Sequence, residues 1–241
     1  KPSSLYIFNQ RMAENCKENG LWQKQLKYLE VLADQYPNWY QFQLDLAEAY
    51  SKIRQPDKAF SAYERGLALW PENNAGRMQY AYALWRERKW QAVIDQSTIG
   101  LGDTKQLDAL DTKGRVYREA RFREYRADGN ANLGNYAQAE ADLRWLAEND
   151  SSHLWPLRKL ALVLLAQGKV EDYEQLRANL LAPDGLGASE EADKIVEIGR
   201  MVALAPFESI EMRRRAYKVV SKLIADSSVL SQHIGLVAQV T

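Results

Sequence analysis

The sequence predicts an all-α fold, a right-handed superhelix of stacked helical hairpins. Three observations carry this. Amphipathic runs recur with a fixed period: Pro37 and Pro71 close two of them 34 residues apart, and the turn positions Gly20, Arg54 and Arg88 step by the same 34. Small residues stand beside large ones at the same offset in each run, as in Leu46-Ala47 and Tyr80-Ala81. Strand-like alternation is absent, while 46% of the 241 residues are apolar and 27% charged, an ordinary globular balance.

Composition narrows the function. Lys plus Arg is 32 and Asp plus Glu is 32, so the net charge is zero and nucleic acid is not an expected partner. The single cysteine, Cys16, cannot close an internal disulfide, and no thiol cluster exists for a metal. Two histidines, His153 and His233, leave little for metal or acid–base work. No apolar run approaches the ~18 residues that span a bilayer, so no membrane association is expected and the expected setting is cytoplasmic. The opening Lys1-Pro2 reads as the start of a fragment or of a mature form.

The hairpins follow in order. The first unit, 6–39, contains Met12, Ala13, Gly20, Leu29 and Pro37. The second, 40–73, has Leu46-Ala47, Tyr50, Ala59, Tyr63, Gly66 and Pro71. Ala47 and Ala59 remove bulk where two helices cross, Tyr50 and Tyr63 fill the wider gaps, and Pro71 ends the second helix. The third, 74–102, carries Tyr80, Ala81, Leu84, Trp90 and Gly100. The phase then slips: Gly134 falls 46 residues after Arg88, twelve more than the period. The fourth unit is therefore 103–153, with Ala127, Ala139, Leu143 and Leu146. Thr104 reads as an N-cap, and the extra residues as an extended first helix or a separate short one, with Gly114 as the weak point. The fifth unit is 154–183, with Leu160, Ala161, Leu164 and Gly168. Asp184-Gly185-Leu186-Gly187 reads as a linker. Three helices over 184–241, the first capped by Ser189, would close the apolar end of the array.

With these residues in place, the chain resembles the tetratricopeptide repeat family over 6–183, most fully at 40–73. The stretch from Gly134-Asn135-Tyr136 to Leu165-Ala166-Gln167-Gly168, with Asp172-Tyr173 and Ala203-Leu204-Ala205-Pro206, also resembles repeat regions joined to bacterial serine/threonine kinases and other multidomain proteins. No kinase motif is present in this sequence. The first resemblance implies a concave surface lined by the first helix of each hairpin, where a peptide or partner segment binds. By similarity the surface positions are Ile7, Gln10, Glu14 and Lys17, then Gln41, Leu44, Glu48 and Ser51, then Ala75, Met78, Tyr82 and Trp85. Arg121, Glu124, Asp128 and Ala131 follow in the fourth unit, and Trp155, Arg158, Leu162 and Leu165 in the fifth. The family's carboxylate clamp would fall on Gln10, Glu14, Asp45, Ala75 and Gln79; none of these matches, so that ligand is not expected.

Two features stand out as candidate partner-binding residues. Met78, Tyr82 and Trp85 share one helix face, an aromatic surface with a polarizable methionine that suits an apolar peptide anchor. The alternative is that later helices cover it. Arg115, Arg118, Arg121, Arg123 and Arg126 form a basic run suited to an acidic peptide, or a solvated face neutralised by Glu119, Glu124 and Asp128. Trp155 and Arg158 complete the candidate set with Glu124. Arg213-Arg214-Arg215 reads as a solvated helix face. No nucleophile–base arrangement or phosphate loop is present, so no catalytic residue, metal or cofactor is expected. The expected function is recruitment of a protein partner within a larger protein; the alternative is a self-associating scaffold.

Overall fold

The computed structural model describes residues 3–103, 112–149 and 155–181. Thr104, both histidines, the 213–215 arginines and all of the 184–241 segment lie outside them. The described residues contain ten α-helices and no strand. The chain divides into two compact units between Leu133 and Gly134.

The first unit holds α1 (Ser4–Glu18), α2 (Trp22–Gln35), α3 (Tyr40–Lys52), α4 (Pro56–Leu69), α5 (Asn74–Arg86), α6 (Trp90–Gly102) and α7 (Thr112–Asn132). Each helix from α1 to α6 packs on the next, and α7 packs on both α5 and α6. The apolar faces meet in one core that includes Leu29, Leu46, Ala47, Tyr63, Tyr80 and Leu84. Ala47 and Ala59 are fully buried, so the small residues do mark close helix contacts.

The turns between hairpin helices share one device. Gly20, Arg54, Arg88, Gly134 and Gly168 all have positive φ, between 55° and 81°. At Gly20, Arg54 and Arg88 the next residue's N–H bonds back to the carbonyl five residues earlier: Leu21 to Cys16, Gln55 to Tyr50, Lys89 to Leu84. This is the Schellman closure, which satisfies carbonyls left open at a helix end. Glycine adopts that conformation without strain, and arginine does not. Arg54→Gly and Arg88→Gly are each expected to stabilise the fold, by about 0.5–1 kcal/mol. Thermal unfolding checks this, and a lowered midpoint in both variants would contradict it.

Helix spacing is set by glycines facing large side chains. Leu44 fills the space over Gly66 on α4 and Gly76 on α5, where added Cβ atoms would come within 2.8 Å of its methyls. Leu44 is consequently core, not surface, although the resemblance places it on the binding face. Phe122 of α7 is fully buried, and its ring occupies the space that a Cβ at Gly100 would need. Asn74 donates to the Gly100 carbonyl at 3.0 Å and ties α5 to the end of α6. Helix α7 runs through Gly114 without a break.

The second unit holds α8 (Tyr136–Asn149), α9 (Trp155–Ala166) and α10 (Val170–Leu181), with α9 packed on α8 and on α10. Glu140 on α8 is its polar centre. Arg144, Gln167 and Lys169 donate to it at 2.8, 2.7 and 2.7 Å. Burial pushes its carboxyl up, but these three donors outweigh burial and pull it down to about 2. A carboxyl lowered in the fold stabilises above its unfolded value of 4.5 and loses that contribution as pH falls through about 2. Wild type is therefore expected to lose stability below pH 4.5 more steeply than Glu140→Gln. Parallel acid-unfolding curves would contradict it.

Candidate partner-binding surfaces

In the first unit α5 packs against both α3 and α7. On α5, Met78 and Trp85 are half-buried against the core, whereas Tyr82 is 46% exposed. Trp85 is held from both sides. Its indole N–H donates to Asp128 of α7 at 2.8 Å, and its ring lies 6.1 Å from Tyr82 at 16°, a stacked pair. Tyr125 of α7 leans on both rings at 6.1 and 6.2 Å. Burial, with Glu124 adding to it, pushes the Tyr125 phenol up to about 12, so it stays neutral. Helix α7 thus covers Trp85 in part and touches the Tyr82 ring through Tyr125, while Tyr82 stays nearly half exposed. The Arg86 guanidinium sits 6.0 Å from the Tyr82 centroid.

Beside Tyr82 lies a cleft of about 160 Å³, with Glu48, Lys52, Gln79 and Arg86 in its walls. A larger cavity of about 470 Å³ shares Ser51, Ala83 and Arg86 with it and continues to Arg54, Phe60 and Glu87. In the sequence neither Arg86 nor Tyr125 is singled out, and Gln79 figures only as a clamp position that does not match. Arg86 and Gln79 lie on the same helix as Tyr82 and were legible from it; Tyr125 reaches the face from a distant helix.

The surface where α1 meets α3 is polar. Lys17 lies 2.7 Å from Glu48 and 3.8 Å from Asp45. Burial opposes the Lys17 charge, but Glu48 and Asp45 together outweigh burial and raise Lys17 above its ordinary value. Burial raises Asp45 above the usual carboxylate range against the pull of Lys17. Gln10 donates to Glu14 and Gln41 to Asp45, so acid and amide fill the positions a carboxylate clamp would need. A free carboxylate would meet repulsion there.

The α7 arginines are mostly paired locally. Arg121 lies 2.7 Å from Glu124 and 5.4 Å from the Tyr117 ring. Arg123 pairs with Glu119 at 2.8 Å. Arg118 is half-buried on the same helix, one turn before Arg121 and Phe122. Trp155 and Arg158 begin α9 in the second unit, with Lys159 4.8 Å from the Trp155 ring. Tyr82, Trp85, Tyr125 and Asp128 are therefore brought together. Trp155 and Arg158 belong to the other unit. Among the described residues no group of three or more His, Cys, Asp or Glu side chains could hold a metal, and no helix is long and apolar enough to cross a membrane. Cys16 is buried.

No family model matches the sequence, and no curated protein matches it. Solved structures do match the fold. A MamA protein is 12% identical, with 86% of this chain and 98% of that chain covered and a TM-score of 0.63. Pseudomonas aeruginosa PilF is 14% identical, with 96% and 97% covered and a TM-score of 0.59. A tetratricopeptide repeat protein from Parabacteroides merdae is 13% identical, with 98% and 84% covered and a TM-score of 0.53. Identities this low speak to fold alone. Together with the Schellman turns and the hairpin packing, they show that this chain has the helical-repeat fold of the tetratricopeptide type.

Proposed function

We propose that the first unit binds an extended segment of a protein partner along α3, α5 and α7, with Tyr82 as the platform for an apolar or aromatic anchor. The fold likeness supports a protein-interaction or scaffold role. The observation that carries the finer reading is the half-exposed Tyr82 ring, stacked on a clamped Trp85 beside a cleft. A rigid aromatic loses little side-chain entropy on contact, which is why such rings concentrate binding energy. Arg86 and Gln79 flank it as donors for a partner's carbonyls or carboxylate. The protein acts by binding and not by catalysis.

The test is a comparison of partner affinity for wild type and Tyr82→Ala, both with unchanged helical circular dichroism. Loss of 2 kcal/mol or more, about 30-fold, is the size expected of a hot-spot ring. Equal affinity in a folded variant would remove Tyr82 from the interface. Constant monomer mass across concentrations is expected alongside.

A further inference from the structure

The cavity of about 470 Å³ in the first unit is bordered by α3, α4 and α5, with Arg54, Pro56, Phe60, Ala83, Arg86 and Glu87 in its lining. These helices are interior to the array: α2 packs on α3, and α6 on α5. The cavity is therefore not an end of the stack left open.

The repeat register explains why it exists. The residue that opens the second helix of each hairpin in this unit steps by the period: Trp22, Pro56 and Trp90. The two indoles are half-buried. Lys52, at the end of α3, places its ammonium over the Trp22 ring, 5.4 Å from the centroid. One period later the cation is kept, as Arg86 at the end of α5, but the ring is replaced by Pro56. Proline suits the first turn of a helix, where its missing N–H costs no intrahelical bond. Its side chain is much smaller than an indole. The cavity lies between Pro56 and Arg86, the pair that corresponds to Trp22 and Lys52.

The lining fits an aromatic ring that carries an acid beside it. Phe60, Pro56 and Ala83 supply apolar wall. Arg54 and Arg86 are exposed, and neither forms an ion pair among the described residues. Glu87 opposes them, so two cations face one carboxylate across the lining. Guanidinium groups both pack on aromatic faces and hold carboxylates. Arg86 also borders the Tyr82 cleft, so a chain passing Tyr82 can turn a side chain into this cavity.

We propose that the cavity takes an aromatic side chain of a protein partner, with a carboxylate on the neighbouring residue held by Arg54 and Arg86. The partner's ring stands in for the indole that Pro56 replaces, and meets Arg86 as Trp22 meets Lys52. This rests on the reading that the first unit binds a partner segment, but not on Tyr82 as its anchor.

The test titrates the full chain with fluorescent eight-residue peptides of glycine and serine that carry Trp-Glu, Trp-Lys or Ala-Glu at the centre. Trp-Glu is expected to bind saturably, about tenfold tighter than either of the others. Pro56→Trp, which supplies the ring from the chain itself, should abolish that binding and keep the helical circular dichroism. Arg54→Glu/Arg86→Glu should reverse the preference between Trp-Glu and Trp-Lys. Tyr82→Ala should leave both effects in place. Equal binding of the three peptides, or no reversal, overturns the proposal. So does binding that a folded Pro56→Trp retains and Tyr82→Ala loses; the Tyr82 cleft would then be the site, and the Tyr82 reading would stand without this one.

Discussion

Phe122→Ala is expected to lower the unfolding free energy of the protein by about 3–5 kcal/mol. The ring is fully buried, and Gly100 leaves no side chain that could move into the space it vacates. It joins α6 to α7, and α7 in turn holds Trp85 through Asp128. The complementary change works through the same contact. Gly100→Ala puts a methyl group into the Phe122 ring and should cost about 1–3 kcal/mol by overpacking. In the Phe122→Ala background that penalty should vanish, since the obstructing ring is gone. Urea unfolding of the four proteins measures the cycle. Additive penalties would show that the ring and the glycine do not share this space.

Leu44→Ala comes next in size, at about 2–5 kcal/mol. Leu44 sits on α3 but packs between glycines of α4 and α5, so its loss opens a gap among three helices. Gly66→Ala and Gly76→Ala are each expected to destabilise the wild type, because either methyl would crowd a Leu44 branch. Either should be better tolerated once Leu44 is alanine. A shift in thermal midpoint for Leu44→Ala no larger than for a surface substitution would mean that Leu44 faces solvent after all.

The comparison of Leu44 with Ala47 shows what the sequence could and could not say. Ala47 announces itself: a small residue beside a large one, repeated at the family offset, implies a close helix crossing whatever lies opposite. Leu44 has no such signature. Its burial depends on Gly66 and Gly76, 22 and 32 residues away, and periodicity does not report which glycine faces which leucine. The turns were legible because the left-handed positions recur at the 34-residue step. Even the two arginines there stand in register with the glycines. The site was half legible. The Met78–Tyr82–Trp85 stripe follows from helix geometry, and two fates for it were open. Trp85 is clamped, and Tyr82 touched but nearly half exposed, because Asp128 and Tyr125 arrive from α7, across the stretch where the period slips by twelve residues. A broken period removes the register that would have located those partners.

The most direct measurement of the binding role is site-specific photocrosslinking in native lysate. A photoreactive side chain replaces Gln79, beside Tyr82 on the cleft, and in a second protein replaces Arg65, exposed on α4. A discrete crosslinked partner at position 79, absent at position 65 and lost when Tyr82→Ala is added, is the expected result. The same adducts at both positions, indifferent to Tyr82, would contradict a partner-binding face on α3, α5 and α7.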